Sequence, residues 1–78
     1  MNENEINFER AAEFNTKEAI KHIRLIGNLS NNKLYKYEDY QVKQIINTLE
    51  AEINATYIKF RRTREANKIS TIDSVKEY

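Results

Sequence analysis

The sequence predicts an all-α protein, an antiparallel two-helix hairpin with a short third C-terminal helix, together a small helical bundle. Three observations predict it. Two long segments repeat their apolar residues at helical spacing. The chain of 78 residues holds one glycine, Gly27, and no proline that could break either segment. Between the segments, Gly27 to Tyr40 collects the turn formers Ser30, Asn31 and Asn32. With this length the whole chain, residues 1–78, makes a single helical domain with a thin core.

The first helix is predicted over about residues 4–26, where Phe8, Ala12, Ala19, Ile23 and Ile26 share one stripe with Ile20 beside it. Asn15 and Thr16 interrupt the stripe. Asn15 with Glu18 has the spacing of a capping pair, so a short leading helix joined to a second is the alternative. A single helix is preferred, because Glu9, Glu13, Lys17 and Lys21 form an i,i+4 ladder that helps only if the helix carries through. Gly27 is then expected to stop the helix in the left-handed conformation, with Leu29 folded back on the last turn.

The hinge is expected over residues 27–38. The second helix starts near Glu38 or Asp39, where acidic groups favour the positive end of the dipole. Val42, Ile45, Ile46, Leu49, Ile53, Tyr57 and Phe60 keep the helical repeat, and the helix is predicted to run over about residues 39–66. After Asn67 the pattern changes. Ile69, Ile72 and Val75 recur every third residue and Ser70 or Thr71 could cap, which gives a short helix or tail over residues 69–78.

The hinge residues also carry a resemblance. Arg24-Leu25-Ile26-Gly27-Asn28-Leu29-Ser30-Asn31, followed by Tyr35-x-Tyr37 and by Val42-x-x-Ile45, resembles a pattern in short bacterial proteins often carried on mobile elements. It covers about residues 20–49, under half of the chain. Those proteins place a threonine N-cap just after the second tyrosine, where this chain has Glu38. The resemblance implies the hairpin and a bacterial, phage or plasmid origin, and it implies no activity.

Composition narrows the function classes. Lys and Arg number 13 against 12 Asp and Glu, so no global field draws the protein to nucleic acid or anionic lipid. The chain has no cysteine, hence neither a disulfide framework nor a thiolate metal site. Its acidic, polar start lacks the basic-then-apolar pattern of a signal peptide, and no apolar run approaches the roughly 20 residues that span a bilayer. A cytoplasmic protein with no membrane attachment is expected.

Catalysis is not expected. His22 is the sole histidine and Asp39 and Asp73 are the only aspartates, so titratable groups with distinct roles do not converge. Glu18 and His22 at i,i+4 supply two ligands where a metal site needs more, and a histidine near a helix C-terminus serves as a dipole partner. One glycine cannot build a phosphate-binding loop. No cofactor and no metal are predicted.

Two clusters remain as candidate sites. Tyr35, Tyr37 and Tyr40 crowd the hairpin tip, and tyrosine offers a large contact area at low entropic cost. The structural alternative has Tyr35 and Tyr37 closing a small core over the hairpin end, with Tyr40 facing out. Lys59, Arg61, Arg62, Arg64 and Lys68 form the dense basic cluster, with Tyr57 and Phe60 nearby. Its structural alternative is dipole compensation at a helix C-terminus, together with pairing to Glu3, Glu5, Glu9 and Glu13 across an antiparallel hairpin.

The functional expectation is a non-enzymatic protein-binding module from a mobile element or phage. In its concrete form it is an inhibitor of a host defence nuclease, of the anti-CRISPR kind. A protein partner is expected, and self-association as a homodimer, because a bare hairpin leaves much of each stripe exposed. The alternative is a nucleic-acid-binding accessory protein that uses the basic end of the second helix.

Overall fold

A computed structural model describes the backbone of residues 2–72 and the side chains of residues 2–66. Among the described residues the protein is all-helical, with α1 spanning Glu3–Gly27, a 3-10 turn at Asn28–Ser30 and α2 spanning Asp39–Ile72. The chain divides into two units, Met1–Tyr37 and Glu38–Tyr78.

Helix α1 begins with a capping box that the residue pattern Asn2-x-x-Glu5 encodes. The Asn2 side chain accepts the Glu5 backbone N–H at 2.8 Å, and the Asn2 N–H donates to Glu5 Oε1 at 2.9 Å. Two backbone donors that the first turn would leave orphaned are thereby satisfied. Glu3 and Glu5 also place negative charge at the positive end of the dipole. The helix then runs unbroken through Asn15 and Thr16, so Asn15 caps nothing. Of the charge ladder along its side, Glu13 and Lys17 form an ion pair at 3.1 Å.

The C-terminus of α1 differs from the expectation. Gly27 sits at φ −59° and ψ −32°, in the right-handed region, and Asn28 follows it at φ −67° and ψ −16°. No left-handed residue stops the helix. The chain instead tightens into the 3-10 turn, which lets the Asn28 N–H reach the carbonyls of the last turn. The motif that would fold Leu29 back needs a left-handed residue at Gly27, so it does not form. Glycine permits that conformation without requiring it, and carbonyls satisfied by the tighter turn remove the need. The backbone turns extended only at Asn31, with ψ 98°.

Helix α2 opens at Asp39, with Glu38 as its capping residue. The Glu38 N–H donates to Gln41 Oε1 at 2.8 Å, while the Glu38 carbonyl accepts from Gln41 at 3.0 Å and Val42 at 3.3 Å. Glutamine three residues into the helix thus supplies half a capping box without a Ser or Thr cap. In place of a stop near Ala66, α2 continues through Ile72, and Ser70 and Thr71 lie inside it. Neither glycine nor proline interrupts that stretch, so nothing in the local chemistry ends the helix there. The rest of the expected third helix, residues 73–78, lies outside the described residues.

Each unit carries one long apolar row. On α1 it is Phe8, Ala12, Asn15, Ala19, Ile23 and Ile26; on α2 it is Val42, Ile46, Leu49, Ile53, Tyr57 and Phe60. The steps are identical, at four, three, four, four and three residues. Such steps repeat every eleven residues, close to the α-helix's own period, so each row runs nearly along its helix axis. Among the described residues no side chain is buried. The most covered positions, Ile6, Ala12, Glu18, Ile26, Ile45 and Leu49, are still only half-buried.

The geometry at Gly27 yields a direct test. A Cβ built there meets nothing within 4 Å, and the backbone is already helical. Gly27→Ala should therefore stabilise the protein by up to about 1 kcal/mol, seen as a higher melting temperature. A left-handed Gly27 would give the opposite sign.

Candidate protein-binding tip

The segment after α1 is built by asparagine. Asn31 accepts the Lys33 N–H on its side chain at 3.0 Å, and its carbonyl accepts from Leu34 at 3.1 Å and Tyr35 at 3.0 Å. A short polar side chain that bonds the backbone two residues on is the usual turn device of asparagine. Here it shapes residues 31–35 into one compact turn. The Tyr37 hydroxyl then donates to the Ser30 carbonyl at 2.9 Å, reaching back across seven residues. That bond ties the end of the segment to its beginning.

Tyr37 thus takes part in the turn through its hydroxyl while its ring stays exposed. Its neighbours are left for contact. Leu34 is 72 % exposed and Tyr35 48 % exposed. Residues 32–37 also line a shallow concavity, whose rim carries Lys33 and Lys36. Leu34 lies outside the tyrosine cluster that the sequence marks, and an apolar residue directly after a run of turn formers is the signal that identifies it. Tyr35 and Tyr37 belong to the first unit. Tyr40 belongs to the second, in the first turn of α2, and is 62 % exposed.

The basic cluster lies on α2. At about 100° per residue, Arg61 and Arg64 fall on one side of the helix and Lys59 and Arg62 on the other. The cluster therefore encircles the helix. Arg61 is engaged twice along its own side: its guanidinium lies 5.9 Å from the Tyr57 ring centroid, and its Nη2 approaches Glu65 at 3.9 Å. Both groups are exposed, so the ion pair contributes little to stability. Lys68 lies on the same helix, beyond the described side chains. Position 68, four residues on from Arg64 and seven from Arg61, returns to their side of the helix, which thus carries three of the five basic positions.

His22 and Glu18 stand one turn apart on α1. Among the described residues no three His, Asp or Glu side chains come together to hold a metal ion. No helix of the described residues is long and apolar enough to cross a membrane. Comparison with protein-family models, curated proteins and solved structures gives no match.

If the Tyr37 hydroxyl holds the tip, removing that one atom should loosen it without unfolding the helices. Tyr37→Phe should cost about 0.5–1.5 kcal/mol at most, and faster amide exchange should appear at residues 31–37. Unchanged exchange there would show that the turn stands on Asn31 alone.

Proposed function

We propose that the chain is a non-enzymatic protein-binding module, a helical hairpin whose aromatic tip is the recognition surface. The observation that carries this is the Tyr37 to Ser30 bond, which orders the tip while Leu34 and Tyr35 stay exposed. An ordered apolar surface binds at lower entropic cost than a flexible loop. A fitting concrete form is an inhibitor of a host defence nuclease carried by a phage or mobile element, since such a protein needs a surface and no reaction of its own.

The hairpin itself is supported by the match between the two rows. Paired antiparallel, Phe8 meets Phe60, Ala12 meets Tyr57, Asn15 meets Ile53, Ala19 meets Leu49, Ile23 meets Ile46 and Ile26 meets Val42. The register closes along its whole length. Ala12 and Ala19 of α1 oppose the larger Tyr57 and Leu49 of α2, a complementarity of size that favours close packing. Asn15 is the one polar member, and a single polar group in such a row fixes register at some cost in stability. Closure also brings Glu3, Glu5 and Glu9 beside the basic end of α2, and sets Tyr40 at the same end as Leu34 and Tyr35.

Core and tip should separate experimentally. Ile46→Ala or Leu49→Ala should cost about 2–5 kcal/mol as buried large-to-small changes, and lower the melting temperature accordingly. Tyr40→Ala should leave the melting temperature nearly unchanged and weaken partner binding by about 2 kcal/mol, roughly thirtyfold. Equal loss of stability in both classes would make the tip part of the core.

The nucleic-acid alternative draws on Arg61 and Arg64, which share one side of α2. It predicts binding to duplex DNA or RNA that falls steeply between about 50 and 200 mM salt, and that is abolished when Arg61, Arg62 and Arg64 are replaced by alanine together. Affinity capture from a bacterial lysate decides between the two. The protein-binding reading expects a protein partner that survives nuclease treatment and is lost with Leu34→Ala and Tyr40→Ala. Captured material that nuclease removes would contradict it.

A further inference from the structure

The unit Met1–Tyr37 is divided by charge. Its carboxylates, Glu3, Glu5, Glu9, Glu13 and Glu18, all precede Ala19, and from Ala19 through Tyr37 the chain has neither Asp nor Glu. That stretch carries Lys21, Arg24, Lys33 and Lys36.

Helix electrostatics accounts for part of this excess. Arg24 stands in the last turn of α1, where the negative end of the dipole favours a cation, and Lys21 stands about one turn before it. Lys33 and Lys36 are different, because they follow the helix end at Gly27 by six and nine residues and the dipole's effect fades within the last turn. No carboxylate answers them either. The ion pairs among the described residues are Glu13 with Lys17 and Arg61 with Glu65. Glu38 and Asp39 come next in the chain, but at the start of α2, where the positive end of that dipole favours them.

The two lysines bracket the apolar pair of the tip, in the order Lys33-Leu34-Tyr35-Lys36. Both are exposed, and with Leu34, Tyr35 and Tyr37 they line the open concavity, about 450 Å³ in volume. The backbone that carries them is ordered by the Asn31 turn and by the Tyr37 to Ser30 bond. Two unanswered cations thus flank an exposed apolar patch on an ordered turn.

We propose that the tip takes an acidic protein segment, one that sets Asp or Glu on either side of an apolar residue. The inference rests on the reading of the tip as the recognition surface and adds the charge of its partner. The carboxylates pair with Lys33 and Lys36 while the apolar residue covers Leu34 and Tyr35. A neutral partner would leave both cations at the rim without a counter-charge, whereas complementary potential steers encounter and rejects wrong partners. Two other polyanions fit less well. Recognition of anionic lipid is carried by clusters of about four to eight Lys or Arg. A single strand of nucleic acid is tracked by a basic groove over about four nucleotides or more. The tip offers Lys33 and Lys36 alone.

The test uses the full chain. Peptides that it selects from a random library at low salt should be enriched in Asp and Glu around an apolar residue, and should shift the amide resonances of residues 32–37. Lys33→Ala and Lys36→Ala should each weaken their binding by up to about fivefold, the range of exposed ion pairs. Lys33→Glu and Lys36→Glu together should abolish it with a helical circular dichroism spectrum retained. Lys17→Glu reverses a charge on α1 that Glu13 already answers, and should leave binding unchanged. Selected peptides that lack acidic residues, or acidic ones that survive the double reversal, overturn the acidic partner. If those peptides are lost with Leu34→Ala, the recognition tip stands; if they survive that change too, it falls with the proposal. An empty selection also overturns the proposal, as does an equal loss with Lys17→Glu. So do phosphatidylserine vesicles or a single-stranded oligonucleotide that shift residues 32–37 at lower concentration than the peptides.

Discussion

The proposed hairpin depends on covering two apolar rows that neither helix can cover by itself. Helix nucleation is unfavourable, and most helical stability in proteins comes from packing an amphipathic face. Neither helix here is rich in alanine, and branched or aromatic residues such as Ile23, Ile46, Ile53 and Tyr57 lose rotamer freedom on a helix. Local devices help at the ends. The Asn2 and Glu5 capping box, and Gln41 closing on Glu38, each contribute on the order of 1 kcal/mol. Ordering the backbone costs about 1–2 kcal/mol for every residue, so capping alone cannot hold two helices of this length. Among the described residues no side chain is buried, and in the proposed hairpin contact between the rows would supply the remaining stabilisation.

That constraint gives the tip its character. The rows end at Ile26 and begin again at Val42, so the residues between them belong to neither row. Their order comes from hydrogen bonds, through Asn31 to Lys33, Leu34 and Tyr35, and through Tyr37 to Ser30. Polar bonds of this kind shape a turn without consuming apolar surface. Leu34, Tyr35 and Tyr40 are left exposed as a result. In the proposed hairpin, division of labour between an apolar stem and a hydrogen-bonded tip would let the surface change while the stem is kept.

The helices were legible in the sequence because their period is long and unbroken. The near-complete extent of α1 follows from it, while the start of α2 at Asp39 follows from the acidic pair Glu38 and Asp39. What the sequence hid was local backbone choice. Gly27 invited a left-handed stop, yet a 3-10 turn satisfies the same carbonyls, and composition does not distinguish the two. The continuation of α2 beyond Ala66 was hidden too, because a change of apolar spacing at Asn67 alters which face is apolar without altering the backbone. At the tip, the tyrosine cluster was visible, while the split of roles was not: the Tyr37 hydroxyl is bound to Ser30 and Leu34 is left exposed beside the turn at Asn31. The basic cluster looked dense in one dimension, but helical geometry spreads Lys59, Arg61, Arg62 and Arg64 around α2.

The claim that the rows hold the helices is tested most directly by separating them. Peptides of residues 1–37 and 38–78, measured alone by far-ultraviolet circular dichroism, should each be weakly helical, and an equimolar mixture should recover much of the ellipticity of the intact chain. Peptides that are each as helical alone as within the intact protein would contradict the account, because the helices would then stand without their rows being covered.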